Sequence, residues 1–318
     1  MKILMWNVRG LGKHARRRQV REHIFQEKID VVGLQETSKG EFSDQDLQDL
    51  AGGLQFTWVW LPARGHSGGI LLGARVDTLE VEAHDLREFS IQMDLRNMLT
   101  NFRWSVVVVY GPAQHDLSRN VLAELDEICN QRNLPMIMGG DFNLIRKESE
   151  KSSDHYNHLL ITQFNDFIGN HQLREVTRVG SKYTWTNKQH VPVLVNLDRF
   201  LMTSDWEDRF PLCLAWGLTR VGSDHSPIIL DSGEHGAPRP RYFFFEKQWL
   251  LKPNFQTMVA EKWGASQLRR PMGCYSVTCW QGSLGFMRQH LKGWNLQQIG
   301  EQKKMRGILL QRLAASRY

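Results

Sequence analysis

Pro135-Met136-Ile137-Met138-Gly139-Gly140-Asp141-Phe142-Asn143 runs from an apolar segment through two glycines into an acid and an amide. A short apolar run bounded by turn residues predicts a buried strand. The glycines allow a tight turn or a close backbone approach. At a strand end, Asp141 and Asn143 would point to one side while Phe142 between them anchors the turn in the core. A carboxylate and an amide so placed suit a nucleophile and a phosphate oxygen. The same residues also suit an ordinary strand followed by an Asx turn, so the rest of the chain has to decide.

Working outward, residues 2–8 predict a first strand with Asn7 near its end, and 10–12 a loop. A basic helix follows from Lys13, with Val20, Ile24 and Phe25 recurring at helical spacing. Further strands are predicted over 30–37, 67–73 and 104–112, the last closed by a Gly-Pro turn. Helices are predicted over 115–130 and 158–171. Strands at 182–186, 194–202 and 227–230 complete the pattern, the last introduced by Gly222-Ser223-Asp224-His225-Ser226. This order predicts an α/β fold: a four-layer sandwich of two packed mixed β-sheets flanked by helices, over residues 1–233.

From residue 234 the texture changes. Residues 236–241 are a linker by composition, 243–250 read as helical, and a basic amphipathic helix is predicted over about 286–315, so 234–318 is expected to be a helical basic extension. The net charge of +6 is uneven: 14 Lys and Arg face 4 Asp and Glu from Glu234 onward, which leaves 26 against 30 before it. The acidic part suits a metal ion; the basic part suits a polyanion, or is simply a solvated surface. An apolar fraction of 41% and a charged fraction of 23% fit a globular protein. No apolar run approaches the roughly 18–20 residues of a membrane span, and the first eight residues are too short for a secretory signal. Cys129, Cys213, Cys274 and Cys279 lack zinc-site spacing and read as reduced thiols.

Polar residues end strand after strand: Asn7, Glu36, Tyr110, Asp141 with Asn143, Asp198, and Asp224 with His225. Ligands in layered α/β folds gather beyond strand ends. The inventory suits metal-assisted phosphodiester hydrolysis. Mg²⁺ needs one or two carboxylates, for which Glu36 and Asp224 are available. Asp141 could deprotonate a water, and His225, Asn143 and Tyr110 could donate to a charged phosphate. Asp198 could hold the second ring nitrogen of the histidine.

Trp6-Asn7-Val8-Arg9-Gly10, Leu34-Gln35-Glu36-Thr37, Ser67-Gly68-Gly69, Val109-Tyr110-Gly111-Pro112, Gly140-Asp141-Phe142-Asn143, Leu197-Asp198-Arg199 and Ser223-Asp224-His225-Ser226 together resemble the endonuclease/exonuclease/phosphatase superfamily. Within it they look like the apurinic-like endonuclease of plant LINE-type (non-LTR) retrotransposons, as do Tyr183-Thr184-Trp185-Thr186-Asn187 and Thr203-Ser204-Asp205-Trp206. The resemblance covers about residues 1–233. Residues from about Arg239 resemble the linker before reverse transcriptase in such elements, and no polymerase motif follows.

The resemblance implies that Asn7, Glu36 and Asp224 hold the metal, and that Tyr110 contacts phosphate. It implies that Asp141 and Asn143 position the attacking water, that Asp198 orients the histidine, and that His225 binds phosphate. Thr184 sits where a further phosphate or DNA contact is expected. The expected activity is a Mg²⁺-dependent DNA endonuclease (Mn²⁺ as substitute) nicking one strand to leave a 3′-hydroxyl. The alternatives are another phosphoester hydrolase of the superfamily, such as an abasic-site nuclease, RNA deadenylase or phosphatase, and a silent nucleic-acid-binding relic. Arg16 and Arg17, in the basic cluster after the Asn7 strand, are expected at the cleft rim facing DNA phosphates. Trp185 is expected to stack on or wedge beside a base. DNA is the expected partner, with no membrane; a monomer in the nucleus, with the cytoplasm as alternative, completes the expectation.

Overall fold

The structure, a computed structural model, describes residues 1–63, 68–233, 247–268 and 283–288, with a few further positions from 280 to 305. It divides into two compact units, Met1–Gly236 and Ala237–Tyr318. The first unit opens β1 (Lys2–Asn7), α1 (His14–Glu27), β2 (Val31–Gln35), α2 (Asp44–Ala51), β3 (Phe56–Leu61) and β4 (Ile70–Arg75). It continues β5 (Leu79–Leu86), β6 (Ser90–Asn97), β7 (Arg103–Tyr110), α3 (Ser118–Gln131), β8 (Met136–Asp141) and α4 (His158–Asn170). Short strands β9 (Arg174–Glu175), β10 (Arg178–Val179), β11 (Trp185–Thr186) and β12 (Leu194–Val195) lead to β13 (Asp198–Met202), α5 (Ser204–Arg209), β14 (Leu214–Gly217) and β15 (Ile228–Asp231).

Two mixed sheets result. One has seven strands in the order β10-β14-β15-β1-β2-β4-β3, the other six in the order β5-β6-β7-β8-β13-β9. Alternate residues of each central strand serve different layers, as a period of two requires. Ile3 and Met5 join Val106, Val108, Ile137 and Phe200 in the core between the sheets. Leu4 and Trp6 turn the other way and pack with Val20 and Ile24 of α1. Val107, Val109 and Met138 pack outward against Leu125 of α3 and Phe164 of α4. Because both faces are covered, β1, β2 and β8 are apolar runs instead of alternating ones. The four-layer α/β sandwich is therefore the observed architecture.

Several local expectations change. Phe25 is 72% exposed, because it lies about 100° round the helix from Ile24, whose side chain is buried. The strand expected over 194–202 is broken at Asn196 and Leu197. There the chain leaves β11, its partner over β12, for β8, and Leu197 O accepts from Phe142 N. The strand expected over 182–186 shrinks to Trp185–Thr186. Of the helix expected over 243–250, residues 247–250 fall in a 3-10 turn; Ser67, the linker over 236–241, residues 243–246 and most of the helix expected over 286–315 lie outside the described residues.

The second unit contains a 3-10 turn over Lys247–Leu251 and α5's successor α6 (Phe255–Leu268). Trp249, Phe255, Met287 and Leu291 form its own small buried cluster, with Trp263 and Trp294 packed against them.

Candidate active site

Strand register gathers the polar strand ends at one edge of the sandwich. β1 and β2 run parallel with Asn7 opposite Gln35, and β7 and β8 run parallel with Tyr110 opposite Asp141. β13 is antiparallel to β8, so its first residue, Asp198, pairs with the last residue of β8, Asp141. The segment Asp224–Ser226, just before β15, is stitched to Thr184–Thr186 by Thr186 N to Asp224 O and Ser226 N to Thr184 O.

Backbone conformation at this edge is unusual. Arg9, Glu36 and Asn143 have φ of 50°, 51° and 52°, a left-handed region that costs a non-glycine residue of order 1 kcal/mol or more. Glu36 follows the last residue of β2, so its side chain leaves the pleat and enters the site. Gly111 is required by a close approach: a Cβ there would lie 2.2 Å from Phe142 O. Its N–H donates to Asp141 O at 2.7 Å, locking the end of β7 to the end of β8.

Asp141, Asp198 and His225 are all buried and lie together. His225 Nδ1 is 2.9 Å from Asp198 Oδ2, and His225 Nε2 is 3.5 Å from Asp141 Oδ2. Asn7 Nδ2 donates to Asp141 Oδ2 at 2.9 Å, and Asn143 N donates to Asp141 Oδ1 at 3.1 Å. Burial pushes the Asp141 carboxyl up to about 6, with Asp198 adding to the rise and His225 opposing it. Burial alone would depress His225, but Asp198 and Asp141 outweigh it and lift the imidazole to about 9. At neutral pH the array therefore holds a charged imidazolium between two carboxylates.

A second cluster stands beside the first. Arg9 Nε lies 3.6 Å from Glu36 Oε1 and 3.4 Å from Asp224 Oδ1. Arg9 N donates to Asn7 Oδ1 at 3.2 Å. Tyr110 is half-buried, and its phenol is raised by burial and by the neighbouring carboxylates of Glu36 and Asp141. Two carboxylates converging on one cation, with an amide oxygen near, form a hard-oxygen donor set of the kind Mg²⁺ or Mn²⁺ takes. The guanidinium stands where such an ion would be satisfied. The Asp141–Asp198–His225 group also has metal-ligand spacing. Both nitrogens of its histidine face carboxylates, however, so that group is better suited to holding and moving protons.

The remaining expected site residues are placed differently. Thr184 is fully buried, and its Oγ1 accepts from Leu197 N and Asp198 N at 3.0 Å each. It therefore supports Asp198 instead of facing the cleft. Trp185 Nε1 donates to Asp224 Oδ2 at 3.0 Å, so the indole is fastened to a site carboxylate instead of standing free for a base. Arg16 lies over the Trp6 ring at 5.1 Å and donates to Val221 O, while Arg17 donates to Leu11 O and Gly12 O. Both arginines brace loops in this conformation instead of projecting as free cations.

Three supports carry no role in the sequence reading. Ser223 Oγ donates to Asn7 O at 2.8 Å and accepts from His225 N at 3.1 Å, joining the two loops that carry site residues. Trp6 Nε1 donates to His225 O. Arg199, buried beside Asp198, pairs with Glu150 at 2.9 Å and Glu175 at 3.2 Å and donates to Leu144 O, bracing the loop after β8. Asn-x-Arg at Asn7-Val8-Arg9 was a signal that could have drawn attention to Arg9.

Among solved structures, an AP endonuclease from Leishmania major is 17% identical with a TM-score of 0.57, covering 72% of this chain and 86% of its own. The endonuclease domain of TRAS1, a telomere-specific non-LTR retrotransposon, is 15% identical with a TM-score of 0.55, covering 72% and 97%. A 3′-5′ exonuclease from Neisseria meningitidis is 19% identical with a TM-score of 0.56, covering 73% and 99%. At such identities these likenesses speak for the fold. No curated protein gives a significant match. The model of the Endonuclease/Exonuclease/phosphatase family matches residues 5–225, from within β1 to the histidine of the buried array. That span is more than half of the chain, and the chain belongs to the Endonuclease/Exonuclease/phosphatase family.

Proposed function

We propose that the protein is a divalent-cation-dependent phosphodiesterase, and most specifically a DNA endonuclease that nicks one strand to leave a 3′-hydroxyl. The observation that carries the reading is the buried Asp198–His225–Asp141 array set beside the Glu36–Asp224 pair. Ionised Asp141, aligned by Asn7 and Asn143, takes a proton from a water as its oxygen attacks phosphorus. Protonated His225, held by Asp198, donates to a non-bridging oxygen as charge builds there. The bond from phosphorus to the 3′-oxygen breaks, and that oxygen leaves as the 3′-hydroxyl after taking a proton from solvent. Mg²⁺ or Mn²⁺ held by Glu36 and Asp224, with Asn7 beside them, would polarise the phosphoryl group and offset charge on the leaving oxygen.

DNA as substrate is supported by the motif resemblance and by likeness to proteins whose names include AP endonuclease and retrotransposon endonuclease. A phosphomonoester reading has one observation in its favour, the likeness to a 3′ phosphatase from Neisseria bound to product DNA hairpin. On the DNA reading, the basic residues from 234 onward would lie along the polyanion, as a unit separate from the catalytic domain. Supercoiled-plasmid nicking with Mg²⁺, beside EDTA and Asp141→Asn controls, tests the proposal. Relaxed circles from the wild type alone support it. A folded protein that nicks no plasmid but releases phosphate from 3′-phosphorylated DNA would move the reading to the monoester.

A further inference from the structure

Arg9 is a charged side chain that the hydrolytic scheme leaves without a task, although it stands inside the site. Its Nε is within 4 Å of both Glu36 and Asp224, the two carboxylates with the donor chemistry for a hard divalent ion. Those carboxylates are mostly covered, at 15% and 13% side-chain exposure, whereas the Arg9 side chain is 52% exposed. The carboxylates are thus fixed and the guanidinium has room to leave.

Their fixation can be traced. Trp185 Nε1 holds Asp224 Oδ2, leaving Oδ1 towards Arg9. The left-handed backbone of Glu36 is tied on either side by Gly10 N to Glu36 O and Thr37 N to Gly69 O. Arg9 itself is held at its backbone, by Arg9 N to Asn7 Oδ1, while its long side chain reaches across. A backbone-anchored arginine with an exposed side chain, beside two largely covered carboxylates, has the make-up of an exchangeable counter-ion. Without a cation the two carboxylates would repel each other at close quarters.

We propose that Arg9 is a built-in competitor for the metal: its guanidinium neutralises Glu36 and Asp224 in the metal-free protein, and an incoming divalent ion must displace it. Displacement swings the guanidinium out into the cleft, where it becomes available to a phosphate of the substrate. This rests on the functional reading above only for the identity of the metal position.

The test is Mg²⁺ and Mn²⁺ binding to the full chain by calorimetry, with thermal melts in EDTA and in metal, for wild type, Arg9→Gln and Arg9→Lys. Arg9→Gln should bind the ion about threefold to tenfold more tightly, the range one or two partly exposed ion pairs contribute. It should melt lower than wild type in EDTA and recover more on adding metal. Arg9→Lys, which keeps the charge, should stay close to wild type in affinity. Equal or weaker metal affinity in a folded Arg9→Gln overturns the proposal, as does equal tightening in both variants, since charge would then not be the cause. A wild type that binds neither ion and nicks equally well in EDTA overturns the hydrolytic reading and this inference together. Equal affinities with intact EDTA-sensitive nicking remove only the inference.

Discussion

Replacing Asp198 by Asn keeps the size of the side chain and an oxygen for His225 Nδ1 but removes the charge that does most to lift the imidazole. Asp198 is the largest cause raising His225 against the depressing effect of burial. Without it the histidine should fall from about 9 back towards its ordinary 6.5. At pH 8 the protonated share then drops from about nine-tenths to about 3%. Protonation alone should therefore slow nicking roughly 30-fold at that pH, with any loss of ring orientation added to it. The comparison to make is the rate from pH 5.5 to 10 in both proteins. Wild type should rise as Asp141 ionises through about 6 and fall as His225 deprotonates through about 9, limbs that belong to the coupled pair. In Asp198→Asn the alkaline limb should move from about 9 towards 6.5 and close most of that window. Stability gives a second reading. A histidine raised in the folded state stabilises fully below its unfolded value of 6.5 and loses that contribution as pH rises through about 9. The loss is on the order of 3 kcal/mol in wild type and should be much smaller in the variant. An alkaline limb that stays near pH 9 in Asp198→Asn would refute the assignment of the limb to His225.

Other perturbations separate the parts of the site. Asp141→Asn should abolish turnover while circular dichroism stays close to wild type, with a lowered melt because the new amide cannot accept from both Asn143 N and Asn7 Nδ2; residual activity within tenfold would argue for another base. Trp185→Phe keeps the ring but removes the donor to Asp224 Oδ2. Hydrogen bonds to charged groups contribute about 1.5–3 kcal/mol, so the half-saturating Mg²⁺ concentration should rise at least tenfold if that bond holds the metal-side carboxylate in place. An unchanged metal dependence would free Trp185 for a substrate role. Gly111→Ala drives a methyl group against Phe142 O and should destabilise by about 1–3 kcal/mol while separating Tyr110 from Asp141. A denaturant melt with an unchanged midpoint would show that the strand ends can yield.

The layers of this fold were legible where burial on both faces forces an apolar run, as in residues 2–8, 104–112 and 135–141. They were illegible where one face meets water. β5, Leu79-Glu80-Val81-Glu82-Ala83-His84-Asp85-Leu86, is an edge strand with a register shift between Val81 and Ala83, and its mostly polar composition hides it. α2 is eight residues long and announces itself only through the Ser43–Asp46 capping box. At the site, residue type at strand ends was enough to nominate Asn7, Glu36, Asp141, Asp198 and His225, since register along a parallel pair carries such ends to one edge. What could not be read was the direction of each side chain. Thr184 turns inward to take two backbone N–H groups, Trp185 turns to Asp224, and Arg16 and Arg17 fold back on loop carbonyls. Except for Arg17, whose partners are five and six residues away, each of these depends on contacts between residues tens to hundreds of positions apart.

Charge within the site explains why these parts belong together. Asp141, Asp198, Glu36 and Asp224 bring four carboxylates, with which His225 and Arg9 are in direct contact, while Arg16 and Arg220 attract them from farther off. A phosphodiester carries a further negative charge into that excess, and close like charges in a partly buried cleft repel by several kcal/mol. Arg16 keeps its charge while it rests on Trp6 and Val221 O and still attracts Asp224, whereas Arg17 is turned to Leu11 O and Gly12 O. A divalent ion on Glu36 and Asp224 would supply two positive charges where Arg9 supplies one, and would free the guanidinium for the phosphate. The negative excess among the directly paired groups is offset once the ion has bound. Substrate affinity, measured in Asp141→Asn to prevent turnover, should therefore rise steeply with Mg²⁺. If DNA binds as tightly in EDTA as in Mg²⁺, the charge excess is being met by groups other than these.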